Sequence, residues 1–111
     1  MRIYDGGIHT GEALAHAVLS QGREPAVVAA APDKAAVLDA FAAALSFPAH
    51  FGHNLDALSD CLWDWAEGLT VPTTLVWTRP ETLDAPTADA VTTILGGAEA
   101  ASPHLAVVVL R

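Results

Sequence analysis

Phe51-Gly-His-Asn-Leu-Asp-Ala-Leu-Ser-Asp-Cys-Leu-Trp-Asp-Trp65 reads as one N-capped helix with two distinct faces. Leu55, Leu58, Leu62 and Trp65 recur at helical spacing and form an apolar stripe that a core must cover. Asp56, Asp60 and Asp64 fall at i, i+4 and i+8, so they stack along a neighbouring stripe. Asn54 supplies the side-chain oxygen that a helix start needs, and Asp56 sits where the helix dipole favours negative charge. Between Ala35 and Thr78 the chain has no Lys or Arg, yet it carries Asp39, Asp56, Asp60, Asp64 and Glu67. Like charges at i,i+4 cost roughly 0.2–0.5 kcal/mol each in an isolated helix. A helix that keeps them without local counter-ions is expected to hold them for a partner.

On either side of this helix, strand-like and helix-like segments alternate. Arg2-Ile-Tyr4 is a short strand closed by the turn signal Asp5-Gly6-Gly7. Thr10 caps a helix to about Gln21, with Leu14, Ala17 and Val18 on one side and Gly22 ending it. Pro25 to Ala30 is a strand apolar on both faces. Asp33 caps a helix bearing Val37, Leu38, Phe41 and Leu45, which Pro48 stops. Ala49 to His53 is a short loop into the acidic helix, and Gly68 ends that helix. Thr73 to Trp77 is the next strand, and Pro80 and Pro86 bracket a turn or short helical connection. A helix follows with Val91, Ile94, Leu95 and Ala98 as its buried stripe. Gly96-Gly97 costs roughly 1 kcal/mol per glycine relative to alanine, so the helix is expected to end or bend there. Ala106 to Leu110 closes the chain as a strand. The alternation predicts an α/β fold, and continuous apolar strands fit a parallel sheet covered on both faces.

Composition bounds the function. With 111 residues, 52% of them hydrophobic, residues 1–111 are expected to form one compact domain. A net charge of −8 argues against nucleic acid or an anionic membrane as partner and favours a basic protein. The single cysteine, Cys61, excludes an intrachain disulfide and is expected to pack as a small hydrophobe. The first residues lack a signal-peptide h-region, and no apolar run reaches the ~18–20 residues that span a bilayer. A cytoplasmic location is the default.

Catalytic and metal motifs are weak. His50-x-x-His53-x-x-Asp56 contains ligand types for zinc. With His50 in the loop and His53 ahead of the cap, however, the helical spacing that would converge them is missing. His9, His16 and His104 do not cluster with it. Ser59 and Cys61 lack a nucleophile elbow, and no glycine-rich loop follows a strand in phosphate-binding form. No metal or cofactor is assigned.

The run Gly52-x-Asn54-Leu55-Asp56-Ala57-Leu58-x-Asp60-Cys61-Leu62 resembles the signature of the barstar family, intracellular protein inhibitors of secreted microbial ribonucleases. The likeness extends over roughly residues 24–111 and implies a small parallel sheet flanked by helices, with 1–22 as an added strand and helix. It also implies a non-enzymatic function, inhibition of a basic secreted ribonuclease of the guanyl-specific type. In that family two aspartates of the motif insert into the nuclease site, and the matching positions are Asp56 and Asp60. Asp60 is thereby the expected mimic of an RNA phosphate, held by charge-assisted hydrogen bonds. Asp56, one turn earlier, would engage neighbouring basic or guanine-binding groups. Gly52 would allow close approach, Asn54 would cap the helix, His53 would line the rim, and Asp64 would add to the field.

The chain departs from the family in two places. Well-known members carry large aromatics where this chain has His50 and Ser59, and aromatics are the usual interface anchors. Trp63, four residues beyond Ser59, is the candidate substitute surface, or else packs partly buried beside Trp65. The family's acidic residue on the last helix falls opposite Gly97, Ala98 or Glu99, of which Glu99 alone is acidic. The alternative reading is a barstar-like immunity or binding module for a different basic toxin. A third is a small metal-dependent hydrolase using His50, His53 and Asp56.

Overall fold

The computed structural model describes residues 1–4 and 10–111, so the expected turn at Asp5-Gly6-Gly7 and His9 lie outside the described residues. Among those described, the elements are β1 (Arg2–Tyr4), α1 (Gly11–Ser20), β2 (Glu24–Val28), α2 (Lys34–Leu45), α3 (Leu55–Glu67), β3 (Thr73–Thr78), α4 (Ala85–Ala101) and β4 (Leu105–Leu110). The strands form one parallel sheet in the order β1-β4-β3-β2. The chain steps from β2 to β3 to β4 in one direction, while β1 to β2 runs back the other way. Parallel crossovers are right-handed almost without exception. That rule puts α2, α3 and α4 on one face and α1 on the other.

Burial follows the same division. Val28, Leu75, Trp77, Val107 and Val109 join Phe41, Leu58, Leu62, Val91 and Leu95 in the main core. Phe41 and Trp77 meet with ring centroids 6.2 Å apart. On the alternate pleat, Val76 and Leu110 are buried on the α1 side, where α1 packs over β2 and β3 and buries Val18. The expected α/β fold with an N-terminal strand and helix is what the chain adopts.

Each helix start is closed by a side chain that takes an otherwise unpaired backbone N–H. Thr10, Asp33, Asn54 and Asp84 accept from the amides of Ala13, Ala36, Ala57 and Thr87 respectively. The Asp84 carboxyl lies below the usual carboxylate range because the hydroxyl and amide of Thr87 both donate to it. Pro86 therefore lies in the first turn of α4 rather than in a separate connection, a position where its missing N–H costs nothing. The same helix runs straight through Gly96-Gly97 to Ala101, because buried Leu95 and Ala98 hold both sides of the pair. α2 ends at Ser46, whose φ of 55° is left-handed, before Pro48 is reached. β2 stops at Val28, and only that residue of it is buried, because β2 is an edge strand. Pro25 is tolerated there for the same reason.

Two polar side chains finish the sheet. The Arg23 guanidinium donates to Thr74 Oγ1 at 2.8 Å, to the Thr73 carbonyl at 2.8 Å and to the His104 carbonyl at 3.0 Å. It thus ties together the entry ends of β2, β3 and β4. On the far side, β1 pairs with β4 only from Val108 onward. The Val107 N–H below that point donates instead to Glu99 Oε2 at 2.6 Å.

Candidate functional site on helix α3

The loop before α3 is held by a buried aromatic plug. Phe51 is 5% exposed, and its ring stands edge-on to Phe47 with centroids 5.2 Å apart. The Phe51 N–H donates to the Pro48 carbonyl at 2.9 Å, which closes the turn. His53, not Gly52, takes the left-handed conformation, with φ of 51°. Histidine is among the non-glycine residues that accept this region. At Gly52 space is tight instead: a Cβ there would come within 3.3 Å of the Asn54 side-chain nitrogen, which would have to shift slightly. That amide is occupied, since Asn54 Oδ1 accepts from the Ala57 N–H at 2.7 Å and Nδ2 donates to the Gly52 carbonyl at 3.3 Å.

His53 turns toward α2. Its Nε2 lies 3.0 Å from Asp39 Oδ1, and its Nδ1 lies 2.9 Å from the Phe51 carbonyl oxygen. Both partners are acceptors, so a ring with protons on both nitrogens donates to both. Asp39 carries no sequence signal as a site residue, because a contact between α2 and the loop leaves no mark in local spacing.

Within α3, Leu58, Leu62 and Ala66 are buried, and Leu55 and Trp65 pack against the core partly exposed. The exposed residues are Asp56, Asp60, Trp63, Asp64 and Glu67, four carboxylates and one indole. At 1.5 Å of rise per residue, Asp56, Asp60 and Asp64 succeed one another about every 6 Å. Among the described residues, no Lys, Arg or His pairs with any of the four carboxylates. Trp63 is 47% exposed, which settles its position outside the core. Its Nε1–H donates to the Glu67 carboxylate one turn on. Glu67 thus belongs to this face, and its i+4 spacing from Trp63 is the signal for it. Cys61 packs half-buried against the core. Burial pushes its thiol up, and the charges of Asp64 and Asp60 push it further.

Ser59 is half-buried at the margin of this face, and His50 is exposed on the loop ahead of Phe51. His50, His53 and Asp56 are not brought together, and no group of three His, Cys, Asp or Glu among the described residues could hold a metal ion. Glu99 lies elsewhere: Oε2 takes the Val107 amide and Oε1 pairs with the amino group of Met1.

Comparison with curated proteins finds none that matches the chain. A family model described as Barstar (barnase inhibitor) matches residues 26–107, from within β2 to within β4, and so takes in the whole of α3. β1 and α1 fall outside the match. With most of its length and all of its acidic helix inside that match, the chain belongs to the barstar family of barnase inhibitors.

Proposed function

We propose that this protein inhibits a basic, secreted, guanyl-specific ribonuclease by laying the exposed face of α3 across the enzyme's active site. The observation that carries the reading is the composition of that face, where Asp56, Asp60, Asp64 and Glu67 stand exposed and, among the described residues, have no basic partner. Ribonuclease sites gather Arg, Lys and His around the scissile phosphate. A carboxylate on a rigid helix can take the place of that phosphate through charge-assisted hydrogen bonds. Asp60 fills this role and Asp56 engages the adjoining basic or guanine-binding groups. Gly52, Asn54 and the loop residues His50 and His53 form the rim beside the helix start, with Ser59 at the margin of the helix face and Asp64 adding to the field. The protein performs no chemistry, since occupation of the site suffices.

The net charge of −8 supports rapid capture of a basic enzyme. Inside the producing cell, such an inhibitor would neutralise nuclease that escapes secretion. Among the described residues no helix is long and apolar enough to cross a membrane. Ser59 and His50, which replace large aromatics, favour a second reading in which the same face binds a basic toxin that is not a ribonuclease.

The test is RNA hydrolysis by a panel of secreted guanyl-specific ribonucleases, titrated with the protein and with Asp60→Ala. Stoichiometric inhibition that the variant loses is the expected result. Truncating one member of a buried charge pair costs ~2–5 kcal/mol, because the charge left behind stays buried and unpaired. If no enzyme is inhibited, the ribonuclease reading is wrong and the basic-toxin reading replaces it.

A further inference from the structure

Trp63 is the one non-acidic residue among the five exposed residues of α3. Its single polar group is already spent, because Nε1–H donates to Glu67. That pair lies on one helix at i,i+4, a spacing that stabilises a helix only slightly. What sets Trp63 apart is its place: the indole is 47% exposed on the same helix face as the four carboxylates. What remains available on it is π surface, with carboxylates before and after it along the helix: Asp60 three residues earlier and Glu67 one turn on.

We infer that Trp63 is the specificity anchor of this interface and that its occupant is an arginine side chain of the partner, stacked on the indole and paired with a flanking carboxylate. The inference rests on the inhibitor reading above. Guanidinium suits the position better than ammonium does. It is planar, less strongly hydrated, stacks on aromatic faces and still offers a fork of donors to a carboxylate. Trp63 lies one helical turn beyond Ser59, so the aromatic contribution is displaced along α3 toward its C-terminal half. The partner's basic surface must then extend past the groups that take Asp56 and Asp60. A nuclease with an arginine at that distance is preferred over one without.

The test compares Trp63→Phe and Trp63→Leu as inhibitors of whichever ribonuclease in the panel the unaltered protein inhibits. Both replacements are exposed and leave the core intact, so far-ultraviolet circular dichroism and the melting temperature serve as the folding control. Trp63→Phe keeps the aromatic face and is expected to stay within about threefold of the parent. Trp63→Leu keeps apolar bulk without a π face and is expected to bind about tenfold more weakly, within the ordinary strength of a cation–π contact. Equal binding by Trp63→Leu and the parent overturns the inference, as does equal weakening by Phe and Leu. Either result leaves the inhibitor reading standing, provided Asp60→Ala still fails. If the parent inhibits no enzyme, the inhibitor reading itself fails, and this inference with it.

Discussion

His53 Nε2 lies 3.0 Å from Asp39 Oδ1, so the residue that delivers the chain into α3 is tied to the middle of α2. The tie links two elements that otherwise touch little, beside the loop that Phe51 anchors. Both side chains are more than half exposed, at 55% and 67%. Exposed ion pairs contribute no more than ~1 kcal/mol. Asp39→Ala is therefore expected to leave the melting transition nearly unchanged while residues 51–54 gain amide hydrogen exchange. Unchanged exchange in that loop would show that Phe51 alone holds it.

Asn54 carries both the helix start and the placement of the carboxylate two residues later. Replacing it with alanine removes the acceptor for the Ala57 N–H. The expected loss is about 1 kcal/mol in urea denaturation, with the slope unchanged. Asn54→Asp keeps an acceptor and should recover most of the stability. Inhibition by the alanine variant should weaken further than its stability loss explains, because Asp56 is freed with the frayed turn.

Association with the target nuclease should depend steeply on salt. The Debye length falls from roughly 10 Å at 0.1 M to roughly 3 Å at 1 M. Stopped-flow measurements are expected to show the on-rate dropping across that range while the off-rate changes little. An on-rate indifferent to salt would mean that the charge of −8 is unrelated to capture.

The raised thiol of Cys61 lowers its reactivity at neutral pH. Burial and the charges of Asp64 and Asp60 all disfavour the thiolate, which is the nucleophilic form. Alkylation by iodoacetamide should be slow at pH 7 and rise only above the range of an ordinary cysteine. Asp60→Asn and Asp64→Asn should each shift that rise toward lower pH.

Much of this architecture is legible in the sequence, and the exceptions have physical reasons. The starts of α1, α2 and α3 are readable because a cap is a local event: Thr10, Asp33 and Asn54 stand three residues before the amides they accept. The core stripe and the acidic stripe of α3 follow from helical spacing alone. Gly96-Gly97 misleads because propensity is a weak prior, and the burial of Leu95 and Ala98 overrides it. The start of α4 misleads because Pro80 and Pro86 resemble loop punctuation, although Pro86 is well placed in a first turn. The strand order, with β1 beside β4, has no local signature. The link from His53 to Asp39 and the exposure of Trp63 likewise depend on how separate elements meet.

Glu99 fills a gap inside the sheet. Along the lower half of β4, where β1 does not reach, its carboxylate holds the Val107 N–H that a neighbouring strand would otherwise seek. Unpaired strand edges are templates on which proteins polymerise, and an inward-pointing charge is one of the ways nature shuts them. Without this side chain the buried Val107 amide would lose its partner, a loss of ~1–3 kcal/mol for an unsatisfied donor.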